Sequence, residues 1–410
     1  MFQPLKGIKV IDLSLAGCGP SATKVLAEYG ADVIWVEPPW GTSTRTVHKF
    51  DFYTVGKRSI TLNLKAPEGH DVMVKLLETA DIFVSNYRPG GIRRLGLDYE
   101  SVKKINPKIV YATVNGYGDY GEERDLPGYD TNAFWAEGGL LKDFAEEGTI
   151  LVPPAAVGDI ATGLTLAGGI MAAMYNREKT GEGCHVFTSL LAQAVYMNHD
   201  ALVEVQYGEK YPKSRKAPRR SLLNTYQCGD GGWITIAVTV DFERYFPGIM
   251  RAIGREDLIG DPRFQSIDDT TYARAPEMVR ILDEGFAKLT QAEALKRLQS
   301  ADIPAYKVQG TADLLDDPQV HANNMIYQLP VTTPPKENQE CIYVPATPVK
   351  FDTLDSGVAC NVTRGPRLGE NTTEILKEYG YSDEAIASMA EKHITTLPEN
   401  YTGEKKCCNK

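Results

Sequence analysis

The chain of 410 residues contains no C-x-x-C pair, no histidine at metal-ligand spacing from a cysteine, and no surplus of positive charge. Each absence excludes a class. Seven cysteines (18, 184, 228, 341, 360, 407 and 408) without a pairing pattern read as reduced thiols, neither a disulfide frame nor a zinc site. The expected setting is therefore the cytoplasm, with no bound metal, and the Asn-x-Ser/Thr matches at Asn361, Asn371 and Asn400 carry no meaning there. A formal net charge of −10 argues against nucleic acid as a partner. No early stretch has the charged-then-apolar pattern of a signal peptide. The most apolar helical stretch, ATGLTLAGGIMAAMY from Ala161, is short and rich in glycine and threonine. It reads as a buried helix and not as a membrane span. No internal repeat stands out.

What is present describes a globular protein of more than one core: 42% hydrophobic residues, 24% charged, and a length that makes two domains the default. Strand-like segments IKVIDLS, DVIWVE, SITLNL, DIFVSNY and IVYATVNGY alternate with helical pattern over residues 1–195. That order predicts a parallel sheet with helices on both faces. Residues 196–222 include YGEKYPKSRKAPRRSLL, which is basic, holds two prolines and has no periodicity, and so read as a linker. A second, smaller α+β domain is expected over 223–325. It opens with YQCGDGGWITIAV, two short strands around a Gly-Asp-Gly-Gly turn, and continues through three helices to a strand at PAYKVQG. A second connector, 326–345, leads to a segment 346–400 with a clear helix at TTEILKEYGYS, expected to return to the first domain. The polar end, 401–410, reads as a disordered tail.

Between the first two strands lies GCGPSA, residues 17–22, in the setting of a dinucleotide-binding turn: strand, glycine turn, helix, strand, then Glu37 where a ribose-binding acid belongs. Two details weaken that reading. Pro20 removes one backbone N–H from the helix start, and Glu37 runs into Pro38, Pro39, Trp40 and Gly41, where the next helix of such a unit is expected. A nicotinamide enzyme and a plain β-turn-α start both stay open at this point.

Four clusters bear chemistry. GKRSITLNLK places Lys57, Arg58 and Lys65 around one strand, and SNYRPGGIRRLG places Arg88, Arg93 and Arg94 around a turn. Basic groups at the ends of parallel strands suit a phosphate-bearing ligand, and equally suit surface charge balanced by neighbouring acids. RDLPGYD ends in Tyr129 and Asp130. PPAAVGDIATG sets Asp159 before a small-residue helix, where it is either the helix N-cap or a functional carboxylate.

Taken in order, GIKVIDLS, GADVIWVEPPWGTSTR, GKRSITLNLK, SNYRPGGIRRLGLDYE, NPKIVYATVNGYG, LPGYD, AVGDIATG, REKTGEG and LGENTTEILKEYGYS resemble the class III coenzyme A transferases over residues 5 to about 390. That family includes formyl-CoA, carnitine and bile-acid CoA transferases and the α-methylacyl-CoA racemases. The resemblance implies a Rossmann-like large domain built from N- and C-terminal parts, and an interlocked homodimer. It implies no tightly bound cofactor, with a CoA thioester as co-substrate and a small carboxylic acid as the other. Asp159 would be the nucleophile, forming covalent aspartyl intermediates, and Asp130 an orienting or electrostatic residue. Gly17 and Cys18 would lie beside the thioester, where backbone N–H groups stabilise an oxyanion. Leu62, Asn63, Leu64, Lys65, Asn86, Tyr87 and Arg88 would line the adenine and phosphate end, with Arg94 on a phosphate and Tyr129 beside the site.

Three departures narrow the expectation. Pro38 stands where formyl-CoA relatives carry an arginine, with Arg45 as the candidate replacement. Only Gly229, Asp230, Gly231 and Gly232 stand where oxalate-using relatives have a long glycine run, which disfavours formyl-CoA and oxalate. Tyr129 occupies the place of the racemases' histidine and is a poor base at neutral pH, which favours transfer over racemisation. The expected substrates follow the branch that exchanges CoA between 2-hydroxy acids and 2-enoyl-CoAs in anaerobic amino-acid fermentation, phenyllactate and 2-hydroxyisocaproate among them, with carnitine, a bile acid or another acid as the alternative. Tyr129, Phe134 and Trp135 are the expected apolar wall for the acid, with core packing an equal reading of aromatics at that spacing.

Overall fold

A computed structural model describes residues 3–46, 49–330, 341–351 and 364–398. The expected tail, 401–410, lies outside them, together with Cys360, Cys407 and Cys408. The chain divides into two compact units: residues 141–152 with 200–317 form the smaller, and the remainder forms the larger.

In the larger unit, β1 (Lys9–Leu13), β2 (Asp32–Glu37), β3 (Arg58–Thr61), β4 (Ile82–Ser85), β5 (Val110–Asn115) and β6 (Cys184–Ser189) form one sheet in the order β3-β2-β1-β4-β5-β6. Every neighbouring pair is parallel. The first five are the predicted strands. The sixth, CHVFTS, is legible only afterwards: an edge strand is covered on fewer sides, so its residues are half-exposed and its apolar signal is weak. The apolar runs of β1 to β5 are buried because helices cover the sheet. One core joins Ile11, Ile34, Phe83 and Tyr111 to Ile375, Leu376, Ile386 and Met389 of the C-terminal helices Thr372–Glu378 and Asp383–Glu391.

Helix α1 (Cys18–Glu28) follows β1 and is packed closely by the helix Val157–Thr180. Gly163 permits the approach, since a Cβ there would stand 2.5 Å from Ser21 Cβ and 2.7 Å from the Cys18 carbonyl oxygen. This 24-residue helix has the length and composition to cross a membrane, yet it runs along α1 with one face buried. The span read as a connector at 326–345 carries two antiparallel strands, β10 (Ile326–Pro330) and β11 (Cys341–Pro345). They are pinned to α1 by a buried polar knot: Glu28 pairs with Lys24 and accepts from Tyr327 Oη (2.9 Å) and from the Thr347 N–H (3.0 Å).

The smaller unit is a three-stranded antiparallel sheet of β7 (Leu223–Gln227), β8 (Trp233–Ala237) and β9 (Ala305–Lys307), with helices Phe242–Ala252, Ala275–Phe286 and Gln291–Ser300 around its own core. The Gly-Asp-Gly-Gly stretch is a hairpin turn, with Gly231 at φ +84° and Cys228 N–H donating to the Gly232 carbonyl at 2.8 Å. The basic stretch before it belongs to this unit. Its Arg215 and Arg219 are held by Asp283 and Glu204.

Candidate active site

In an open parallel sheet, the strand order reverses at one point, and the two connections leaving it in opposite directions open a crevice at the carboxyl ends of the strands. Here that point lies between β1 and β4. Asn86, just past β4, clasps the loop leaving β1: its Nδ2 donates to the Leu15 carbonyl (2.6 Å), and the Leu15 N–H donates to its Oδ1 (2.9 Å). Below this loop, Lys57 Nζ pairs with Asp12 (2.9 Å) and donates to Thr23 Oγ1 (2.7 Å) and the Pro20 carbonyl (3.2 Å), all sealed from solvent. Ala16, at φ +62°, then turns the chain so that Gly17 and Cys18 begin α1 with first-turn N–H groups that no intrahelical carbonyl can reach.

A second left-handed alanine, Ala156 at φ +65°, starts the helix Val157–Thr180, and Asp159 is its third residue. Capping falls to Asp130, whose two carboxylate oxygens accept the Ala156 N–H (3.1 Å) and the Asp159 N–H (3.0 Å). Asp130 is itself buried at the start of a π-helical turn, Asp130–Ala136. Asp159 is thereby released from capping, and of the two readings open in the sequence the N-cap is corrected. Its side chain lies over Gly17: a Cβ there would stand 2.7 Å from the Asp159 Cγ and overlap Oδ2. Burial first, then the nearby Asp130, push the Asp159 carboxyl up to about 6, with Lys49 opposing the shift. The Cys18 thiol is raised well above its ordinary range, chiefly by burial and then by Asp159, so it is a neutral neighbour and no nucleophile. Tyr53, fully buried in the short helix Phe50–Thr54, has its phenol pushed up by burial and by Asp159, Asp130 and Cys18.

A cleft of about 350 Å³ gathers Gly17, Cys18, Asn86, Tyr87, Arg88, Tyr129 and Asp159 from the predicted set. Others stand apart. Leu62 is buried, and Asn63, Leu64 and Lys65 follow β3 at the far side of the same carboxyl edge, where the Asn63 N–H donates to the Ile394 carbonyl at 2.8 Å. Arg94 lies exposed at the end of the helix Pro89–Arg94. Arg45 is spent inside the protein: it grips Glu37 with two nitrogens and the Pro366 carbonyl at 2.9 Å, against the rings of Trp35 and Phe50. Lys57 and Arg58 are likewise bound, to Asp12 and to Asp32, Glu374 and Glu378, so they do not supply a phosphate site. The expected apolar wall is corrected too. Tyr129 is 68% exposed and lines the cleft, but Phe134 and Trp135 are 1% and 5% exposed, and Phe134 packs beneath Gly158 as core.

Two parts of the site's surroundings went unread in the sequence. Tyr53 lies in a short helix with no motif and Lys49 just before it, and Asn115 and Gly116 line the cleft at the end of β5. A Cβ on Gly116 would fall 2.5 Å from the α-carbon of Gly128, so two glycines let the loop before Tyr129 close on the end of β5. Glu37, the acid that a nicotinamide site would offer to a ribose, is fully buried and engaged by Arg45 and by Ser59 Oγ at 3.0 Å.

The fold is thus an open α/β sheet with a cleft at its switch point, and a carboxylate stands over the glycine turn where a Rossmann dehydrogenase has its pyrophosphate. The chain belongs to CoA-transferase family III, whose profile matches residues 5–372. It is 32% identical over 404 residues to the (R)-2-hydroxy-4-methylpentanoate CoA-transferase of Clostridioides difficile, covering 95% of this chain and 99% of that one. It is 33% identical over 402 residues to the cinnamoyl-CoA:phenyllactate CoA-transferase of Clostridium sporogenes, with coverage of 93% and 95%. A crystal structure of a CAIB/BAIF family protein from Brucella suis superposes with a TM-score of 0.78 at 28% identity, covering 92% of this chain and all of that one. The protein is a CoA-transferase, and CoA thioesters are its co-substrates.

Proposed function

We propose that Asp159 carries CoA between acids through covalent aspartyl intermediates. The observation that supports this most directly is the release of Asp159 from helix capping by Asp130, which leaves a carboxylate of raised pKa over Gly17 in the cleft. Such a carboxylate is more nucleophilic than a solvated one and is still ionised at neutral pH. It attacks the acyl-CoA carbonyl; the C–S bond breaks, giving an acyl-aspartyl anhydride and the CoA thiolate. The thiolate attacks the aspartyl carbonyl and expels the donor acid as its carboxylate, leaving an aspartyl-CoA thioester. An acceptor carboxylate attacks that carbonyl, forming a second anhydride and thiolate, and the thiolate takes the acyl group and restores Asp159. Each oxyanion formed beside Gly17 faces the first-turn N–H groups of α1, a preorganised source of donors.

In the same reading Leu62, Asn63, Leu64 and Lys65, with Arg88 and Arg94, hold the adenine and phosphate end of CoA. The acceptor is a 2-hydroxy acid and the donor a 2-enoyl-CoA, a choice supported by the two hydroxyacid-related relatives. A homodimer accounts for the apolar side chains left open on this unit: Leu164 and Tyr175 on the long helix, and Val195, Tyr196 and Met197 beyond it. Light scattering that finds a monomer at micromolar concentration refutes the dimer.

Two measurements test the chemistry and the substrate. Asp159→Asn is expected to lower CoA exchange at least about a thousandfold, and hydroxylamine added to wild type charged with acyl-CoA is expected to leave a hydroxamate on Asp159. Competition among phenyllactate, 2-hydroxyisocaproate, lactate, carnitine and a bile acid, read by mass spectrometry of the CoA products, ranks the acceptors. A preference for carnitine or the bile acid refutes the 2-hydroxy-acid assignment and leaves the aspartyl chemistry standing.

A further inference from the structure

We propose that Thr44 is a positioning residue for CoA transfer, an inference that rests on the aspartyl chemistry above. Its hydroxyl holds the Ala16 N–H and so fixes the turn that aims the first N–H groups of α1 at Asp159. An oxyanion is stabilised by donors already set where its charge develops, and a displacement of about an ångström forfeits much of the effect.

The turn between β1 and α1 is one that its own residues resist. Ala16 sits at φ +62°, where the Cβ of an L-residue crowds the following carbonyl. Its φ and ψ set the peptide plane that carries the Gly17 N–H, so relaxation of Ala16 to the extended region redirects that donor. Little slack exists here, because the Asp159 carboxylate lies against the Gly17 α-carbon. Two side chains hold the turn. Asn86, after β4, binds both backbone polar groups of Leu15. Thr44 takes the next one: the Ala16 N–H donates to its Oγ1 at 3.2 Å. Thr44 is 6% exposed, whereas its neighbour Ser43 lines the cleft with Leu15, Ala16 and Gly17. The bond therefore lies in the cleft wall, behind the surface that substrate meets.

Thr44 can hold Ala16 because its own turn is anchored. It belongs to the 3₁₀ turn Ser43–Thr46, in which Thr46 Oγ1 donates to the Ser43 carbonyl at 2.9 Å. Arg45, the next residue, grips Glu37 at the end of β2 and donates to the Pro366 carbonyl at 2.9 Å. The arginine expected to meet a phosphate thus secures the turn from which Thr44 reaches Ala16. Printed in contacts, the path runs from β2 through Arg45 and Thr44 to the glycine beneath Asp159.

Three substitutions test this in steady-state exchange. Thr44→Val keeps the shape and removes the acceptor, Thr44→Ala removes it in a smaller side chain, and Thr44→Ser keeps the hydroxyl. Thr44→Val and Thr44→Ala are expected to lower kcat about ten- to a hundredfold. The KM for acyl-CoA and the calorimetric Kd of free CoA are expected to stay within about twofold of wild type, with Thr44→Ser recovering kcat to within about threefold. Formation of the Asp159 hydroxamate is expected to slow by the same factor as kcat, since its oxyanion meets the same N–H groups. A kcat within about twofold of wild type in both Thr44→Val and Thr44→Ala overturns the proposal. A CoA Kd that rises as far as kcat falls also overturns it, as does a Thr44→Ser no better than Thr44→Val. If neither Thr44→Val nor Thr44→Ala gives folded protein by circular dichroism, Thr44 is a structural residue and the proposal fails. Wild type that forms no hydroxamate refutes the aspartyl chemistry instead, while the split between kcat and KM still decides the role of Thr44.

Discussion

The carboxylate of Asp159 rests on the α-carbon of Gly17, although 142 residues separate them in the chain (159 − 17). No side chain larger than hydrogen fits beneath it. The contact sets an acid from one helix start directly against the backbone donors of another.

Gly17→Ala therefore places a methyl group where the carboxylate now lies. The helix α1 continues undisturbed past this point, so the fold is expected to persist with a melting temperature within about 3 °C of wild type. If Asp159 is the nucleophile proposed above, turnover is expected to fall about a hundredfold, because its carboxylate is turned out of position. Unchanged turnover in purified Gly17→Ala shows that Asp159 works from another rotamer.

Transfer is expected to weaken in acid. A carboxylate acting as the proposed nucleophile must be ionised, and burial with the Asp130 charge holds Asp159 at about 6. The rate with saturating substrates is expected to be level near pH 8 and to halve near pH 6, then fall tenfold for each further unit. A rate that stays level down to pH 5 contradicts both the raised pKa and the role.

The same shift predicts a stability difference. Asp159 binds its proton more tightly folded than unfolded, so the stability this group contributes is full in acid and is lost as pH rises from about 4 through about 6. At pH 8 the ionised carboxylate is a burden that Asp159→Asn removes. Because the group is partly open to solvent, the gain is set at about 1 kcal/mol, or about 2 °C in melting temperature. Thermal melts of both proteins at pH 8 and pH 4 check this; the gain must shrink at the lower pH.

Glu37 provides the contrast with a nicotinamide enzyme. Held by Arg45 and Ser59 and cut off from solvent, it offers nothing to a ribose. Calorimetry is expected to show heat on addition of CoA and none with NADH. Glu37→Gln is expected to destabilise the fold by about 2–4 kcal/mol, because it leaves the Arg45 guanidinium half-buried without its counter-charge. Micromolar NADH binding that Glu37→Gln abolishes returns Glu37 to a ribose site.

Short-range pattern was legible in the chain before folding. Strand-like runs of four to six residues alternating with helical pattern specify β1 to β5, because strands covered on both faces favour apolar side chains. Asp159, ahead of a small-residue helix, read either as a cap or as a functional carboxylate, and the family resemblance alone gave Asp159 and Asp130 their expected roles. Partnership was another matter. Whether a charge serves a ligand or the protein depends on what lies within a few ångströms, and those neighbours come from afar. Asp12 claims Lys57 across 45 residues, and Glu374 claims Arg58 across 316. Asp130 reaches 29 residues to take the helix cap, and only that bond frees Asp159. Phe134 and Trp135, aromatic beside an acid, read alike as cleft wall or core until burial made both core, Phe134 beneath Gly158. Lys49 and Tyr53 carry no motif at all. They bear on the charge of Asp159 only because tertiary folding brings them near it, and Coulomb's law acts on distance in space, not along the chain.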